Sequence, residues 1–172
     1  MTKKLNWIAV GVLGALVIAG LVMSQLVRRD LSTACLLSEL ESNWTVALQV
    51  CQKPADEGNA TAQQVLGRIY LQGSGVARDL NKAGEYLQKA FNQGHPRARP
   101  LIGKLYTTKD YVGFDPEYGR MLLMEEVAKC HVESMVYLAI AYSGENAGLG
   151  NDPVESLKWL LVGKTMITNA VN

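Results

Sequence analysis

The sequence predicts an all-α protein: an N-terminal transmembrane helix followed by a short α/α solenoid. Three observations predict it. Leu5 to Val27 carries no charged side chain. The chain overlays itself when shifted by 36 residues. Within each overlaid stretch, apolar residues fall at helical spacing and the same helix starts and stops recur. Hydrophobic residues make up 48% and charged residues 19%, the composition of a chain with a packed core.

The N-terminal run is long enough for a bilayer, which roughly 20 apolar residues span. Lys3 and Lys4 flank one end, Arg28 and Arg29 the other, and Trp7 sits where an interfacial aromatic would lie. A cleaved signal has a shorter apolar core, about 7–15 residues, and a small-residue cleavage site. No A-x-A ends this run, and Arg28, Arg29 and Asp30 separate it from Cys35, which excludes a lipoprotein cysteine. Residues 1–29 are therefore expected to be a basic head and an uncleaved anchor, with 5–27 in the lipid. Gly11, Ala15 and Ala19 form a small-residue stripe along it. Such a stripe lets two membrane helices approach, which would give a homodimer through the anchor, and it is also common in membrane helices that do not pair. The first 29 residues hold four basic side chains and no acid, so the remaining chain is acidic in balance. It has no electrostatic reason to bind nucleic acid.

The repeat is legible without gaps. Ala62, Ala98 and Ser134 overlay, as do Leu66, Ile102 and Leu138, and Gly67, Gly103 and Ala139. Tyr70, Tyr106 and Tyr142 follow, then Asp79, Asp115 and Asn151, then Leu87, Leu123 and Trp159. A fixed period of 20–50 residues marks a stacked-repeat protein. Each copy reads as two helices. Ala62, Leu66, Ile69 and Tyr70 share one face of the first. Asp79, Asp115 and the pair Asn151–Asp152 start the second, with Pro116 and Pro153 tolerated in the first turn. Gly94 stops it in the first copy. Small residues at 62, 67, 98 and 103 allow close helix approach, and the tyrosines fill space between layers.

These residues resemble the Sel1-like repeat family, relatives of the tetratricopeptide repeat. The pattern A-x3-LG-x2-Y-x2-G-x-GV-x2-D-x2-KA-x2-YL-x-KA-x3-GH-x2-A, from Ala62 to Ala98, carries the resemblance. Copy two keeps Ile102-Gly103, Tyr106 and Asp115 but has only Gly113 of the loop glycines. Copy three keeps Leu138, Tyr142 and Gly150 and places Trp159 where Leu or Cys is usual. The resemblance implies three Sel1-like repeats over 62–172 with a C-terminal capping helix, a superhelix that makes protein–protein contacts, and no chemistry. Residues 30–61 are expected to form a degenerate first repeat, because Asn43 overlays Asp79 and Gly58 overlays Gly94. Pro54 is expected to end its second helix early or to start the linker that follows.

A turn near Ser42 and Asn43 would fold the two helices of that first repeat antiparallel. Cys35 and Cys51 then lie at nearly equal height on facing helices, where a disulfide is geometrically feasible. In an exported domain they would pair; in a cytosolic one both would be reduced core cysteines. Cys130 overlays Gly94 and is expected to be a packing residue.

Chemical readings of the motifs fail. The stretch LGRIYLQGSGVARD holds Gly73 and Gly75 but Arg78 where a dinucleotide loop needs a third glycine, and lacks Gly-Lys-Ser/Thr. Its glycines are expected to turn the chain between helices. His95 and His131 lie one repeat apart, follow the turns, and are expected to bind no metal. Glu125 and Glu126 are neighbours expected to solvate a helix face. No catalytic residue, cofactor site or metal site is expected.

In the Sel1-like superhelix the first helix of each pair lines the concave face. The groove positions this implies are Gln64, Arg68 and Leu71 in copy one, Arg97, Lys104 and Thr107 in copy two, and Glu133, Val136 and Ile140 in copy three. The expected partner is another protein or an extended peptide. The expected function is a membrane-anchored interaction adaptor or assembly factor at the bacterial cell envelope, single-pass in the inner membrane with its repeats in the periplasm. The alternative, also implied by the resemblance, is a periplasmic immunity protein that neutralises a secreted antibacterial effector such as a phospholipase.

Overall fold

A computed structural model describes residues 17–23, 33–39, 43–144 and 148–171, with side chains to residue 168. Helical residues 17–23 and 33–39 precede seven named helices: α1 (Trp44–Asp56), α2 (Ala60–Gln72), α3 (Leu80–Asn92), α4 (Ala98–Tyr106), α5 (Pro116–Ala128), α6 (Val132–Ala141) and α7 (Pro153–Val171). The structure is all-helical among these residues. Of the expected anchor, residues 17–23 are helical with exposed apolar side chains; the rest of 5–27 lies outside the described residues, as do Gly11 and Ala15. Among the described residues no helix is long and apolar enough to cross a membrane.

Five of the seven named helices start where short polar side chains satisfy free amides of the first turn; α4 and α6 start without a side-chain cap. Asn43 caps α1 by accepting from Val46 N, and Asn59 caps α2 by accepting from Ala62 N at 2.9 Å. Asp79 accepts from Asn81 N and Lys82 N, Asp115 from Tyr118 N, and Asp152 from Val154 N and Glu155 N. Asp152, not Asn151, is thus the third cap, one residue later than strict register. The backbone confirms this slip. The amide of each capping Asp donates to the carbonyl of the repeat tyrosine: Asp79 to Tyr70 at 3.0 Å, Asp115 to Tyr106 at 3.1 Å, Asp152 to Tyr142 at 2.9 Å. One loop closure is therefore used three times.

The Gly73–Gly75 turn carries no phosphate-loop geometry. Gly73, at φ 73°, ends α2 in the left-handed conformation and donates to Ile69 O at 2.9 Å. Pro54 does not end α1 early. It lies buried in the last turn, where its missing amide deletes a single helical bond, and α1 continues to Asp56.

Within each pair, glycine sets the approach. A Cβ on Gly67 would lie 2.6 Å from Leu87 Cγ, and one on Gly103 would lie 2.7 Å from Leu123 Cγ. These are the same two register positions in successive repeats. Two clusters form the core. One, nearest the N-terminus, gathers Cys35, Ala47, Cys51, Ala62, Leu66 and Ile69. The other runs on through Leu87, Leu101, Ile102, Leu123 and Leu138, with Trp159 packed against it. The first helices α2, α4 and α6 touch one another in series as well as touching their partners; the second helices α3, α5 and α7 pack against the first helices. The first helices therefore lie on the inside of the curve.

Candidate protein-interaction groove

The inner face is built by α2, α4 and α6, and the structure divides the expected groove residues into two groups. Gln64 and Leu71 are 1% and 2% exposed, and Thr107 is 5% exposed. These three cannot meet a partner as they stand. Leu71 packs in the same core cluster as Leu101 and Leu105, and the Thr107 hydroxyl donates to Lys104 O beneath Gly148. A first helix is flanked on both sides by neighbouring repeats, so its offset positions fall into packing.

Arg97, Glu133, Val136 and Ile140 reach solvent, and Arg68 and Lys104 are partly exposed. Arg97, Glu133, Lys104 and Ile140 border two clefts. Arg97, Pro100, His131 and Glu133 line one of about 380 Å³. Arg78, Lys104, Tyr137, Ile140 and Ser143 line the other, of about 170 Å³. Arg78 was not among the expected groove residues. It sits in the α2–α3 loop, where its Nε donates to Leu71 O at 3.2 Å and so turns the guanidinium inward.

The electrostatics of this face come from few groups. Glu39, buried in helical residues 33–39, lies 2.7 Å from Arg68 Nη2, and Arg68 also covers the Trp44 ring at 4.9 Å. The Glu39–Arg68 contact is ionic without good hydrogen-bond angles: among the described residues both Glu39 oxygens and Arg68 Nε find no hydrogen-bond partner. Tyr137 donates to Glu133 at 2.6 Å, and burial, with that bond, pushes its hydroxyl far above the ordinary tyrosine value. Lys104 Nζ stands 4.9 Å from the Tyr137 ring centre. Burial, and then the charge of Arg78, hold the Lys104 ammonium below the usual lysine range, against an opposing pull from Glu133.

On the α5–α6 turn the structure corrects three expectations. Glu126 is not a solvated neighbour of Glu125 but 2% exposed. Its carboxylate meets His131 Nδ1 at 2.5 Å, Lys129 Nζ at 2.7 Å and Arg99 Nε at 3.4 Å. Burial pushes the carboxyl up, but hydrogen bonds from Lys129 and His131 outweigh it and hold the group below the ordinary carboxylate range. His131 thus has a carboxylate partner that its spacing did not reveal. Cys130 is not a packing residue. It is exposed at φ 65°, the left-handed conformation that Gly94 adopts one repeat earlier at φ 74°. Among the described residues no group of three or more His, Cys, Asp or Glu could hold a metal ion. Cys35 and Cys51, both fully buried, are joined in a disulfide with their Cα atoms 5.0 Å apart, tying residues 33–39 to α1.

Residues 60–95 and 132–161 match the Sel1 repeat family. These are the α2–α3 pair and most of the α6–α7 pair; the α4–α5 pair between them shares their register through Gly103, Leu123 and Asp115. The chain is also similar, at 37% identity over 59 residues, to the ERAD-associated E3 ubiquitin-protein ligase component HRD3A of Arabidopsis thaliana. That stretch is 34% of this chain and 9% of the plant protein's length.

Proposed function

We propose that this chain is a membrane-anchored Sel1-type adaptor or assembly factor of the bacterial cell envelope, held in the inner membrane by residues 5–27 and binding another protein with periplasmic repeats. The observation that carries the binding role is the inner face, where α4 and the Sel1-matching α6 leave two clefts bordered by Arg97, Lys104, Glu133 and Ile140. The plant relative is named as a component of a larger ligase, which supports work inside an assembly. The Cys35–Cys51 bond supports an oxidising compartment for the repeats. The uncharged run from Leu5 to Val27 supports the anchor.

The test is photo-crosslinking from the inner face in intact cells, with a crosslinker at Ile140 and a control at Glu85 on the outer helix α3. One protein captured from Ile140 and not from Glu85 is the expected result. Equal capture from both positions, or none from Ile140, would exclude the inner face as the contact surface. Capture of a secreted antibacterial enzyme would favour the immunity role over the adaptor role. Thiol labelling of intact cells tests the orientation: Cys130 labels from outside if the repeats are exported.

A further inference from the structure

The cleft between the α2–α3 loop, α4 and α6 carries two cations and no acid among its described lining residues. Lys104 makes no ion pair among the described residues; its ammonium rests over the Tyr137 ring. Arg78 has Asp110 only at 3.9 Å, with both side chains about half exposed or more. The nearest carboxylate on α6, Glu133, is engaged by the Tyr137 hydroxyl. A partly buried cation beside a second cation is electrostatically costly unless an anion joins them. The lowered proton affinity of Lys104 reports that cost.

The repeat shows what satisfies this position. Arg68 and Lys104 are 36 residues apart and occupy the same register on consecutive first helices. Arg68 is met by the Glu39 carboxylate, supplied by helical residues 33–39. Lys104 has no such residue among those described. We propose that this cleft takes the side-chain carboxylate of a partner polypeptide, held by Lys104 and Arg78 as Glu39 is held by Arg68. The surface beside it fits a chain better than a free anion. Ile140 and Val136 continue along α6 at 48% and 39% exposure, and offer an apolar ridge to the residues that follow the acid. The proposal rests on the inner face being the contact surface, and it adds the chemistry of the partner.

The test uses the full chain, isotope-labelled in detergent micelles, and reads amide shifts by NMR. Two N-acetylated, C-amidated peptides differ at one side chain: Ser-Gly-Glu-Ile-Val-Gly and Ser-Gly-Gln-Ile-Val-Gly. The Glu peptide is expected to shift Lys104, Thr108 and Ile140 and to bind at least about tenfold more tightly than the Gln peptide. That advantage is expected to vanish in Lys104→Met, and the comparison of peptides on the unsubstituted chain stands even if the variant folds poorly. Equal inner-face shifts from both peptides would overturn the carboxylate assignment and leave the contact surface standing. Shifts confined to α3 and α5 would overturn both. Inorganic phosphate acting as strongly as the Glu peptide would show a general anion site and overturn the polypeptide assignment. Absence of any shift at about 10 mM peptide, where a millimolar complex is largely formed, would also overturn it.

Discussion

Two residues of this chain decide more than their neighbours. Glu126 is a carboxylate placed under the α5–α6 turn, with its oxygens divided among His131, Lys129 and Arg99. It therefore fixes the start of α6 to the end of α5 and to α4. In Glu126→Gln the same volume remains but the charge is lost, and the expected cost is about 1.5–3 kcal/mol, the range for hydrogen bonds to charged groups. Urea unfolding should show a lower midpoint with an unchanged slope; an unchanged midpoint would mean that water serves the three partner groups equally well. The Cys35–Cys51 bond acts on the unfolded chain instead. Its half-cystines are 16 residues apart, and closing a loop of that size is worth about 3 kcal/mol. Reduction, or the double variant Cys35→Ala/Cys51→Ala, should lower the melting temperature and should expose residues 33–39 to hydrogen exchange before α3 or α5. Uniform exposure across all helices would contradict this.

At the scale of the element, helix pairing is set by how near two backbones can come. Gly67 and Gly103 were legible as close-approach positions, because repetition of a glycine in mid-helix has no local reason. Gly119 was not, since copy one has Ala83 there and the period hides it. In the structure Gly119 is the less forgiving site: its added Cβ would lie 2.7 Å from Gly103 O, a backbone atom. At Gly67 the obstacle is the Leu87 side chain. A helical Gly→Ala gains up to about 1 kcal/mol of propensity, and overpacking costs about 1–3 kcal/mol. Gly67→Ala should thus be mildly destabilising, and Gly119→Ala should lose more, because a carbonyl in α4 has less freedom than a leucine rotamer. Thermal melts of the two variants check the order. The buried groove residues have the same origin. Spacing placed Gln64, Leu71 and Thr107 on the inner side, but it contained no information about how far the flanking helices would cover them.

For the whole molecule, the periodicity was sufficient to place the repeat helix pairs, since the second helix of each starts on a capping Asp and each repeat can bury its apolar side only against the next. What periodicity could not supply were contacts between residues with different roles in different repeats, such as Glu39 with Arg68 and Glu126 with His131. These contacts set how the stack responds to acid. Burial, then the charge of Arg97, hold the His95 imidazole below its ordinary value of 6.5, against an opposing pull from Glu39. The folded state therefore prefers neutral His95, and its contribution is fully present above pH 6.5 and is lost as pH falls through the lowered folded value. Glu126, also lowered in the fold, contributes above its ordinary value of 4.5 and fails as pH falls below that. Stability should be level at neutral pH, decline in a first step beneath 6.5, and decline again beneath 4.5. His95→Gln should flatten the first step, and Glu126→Gln should reduce the second. Unfolding midpoints measured across this pH range in the three proteins separate the steps. A first step that survives His95→Gln would assign it to another group.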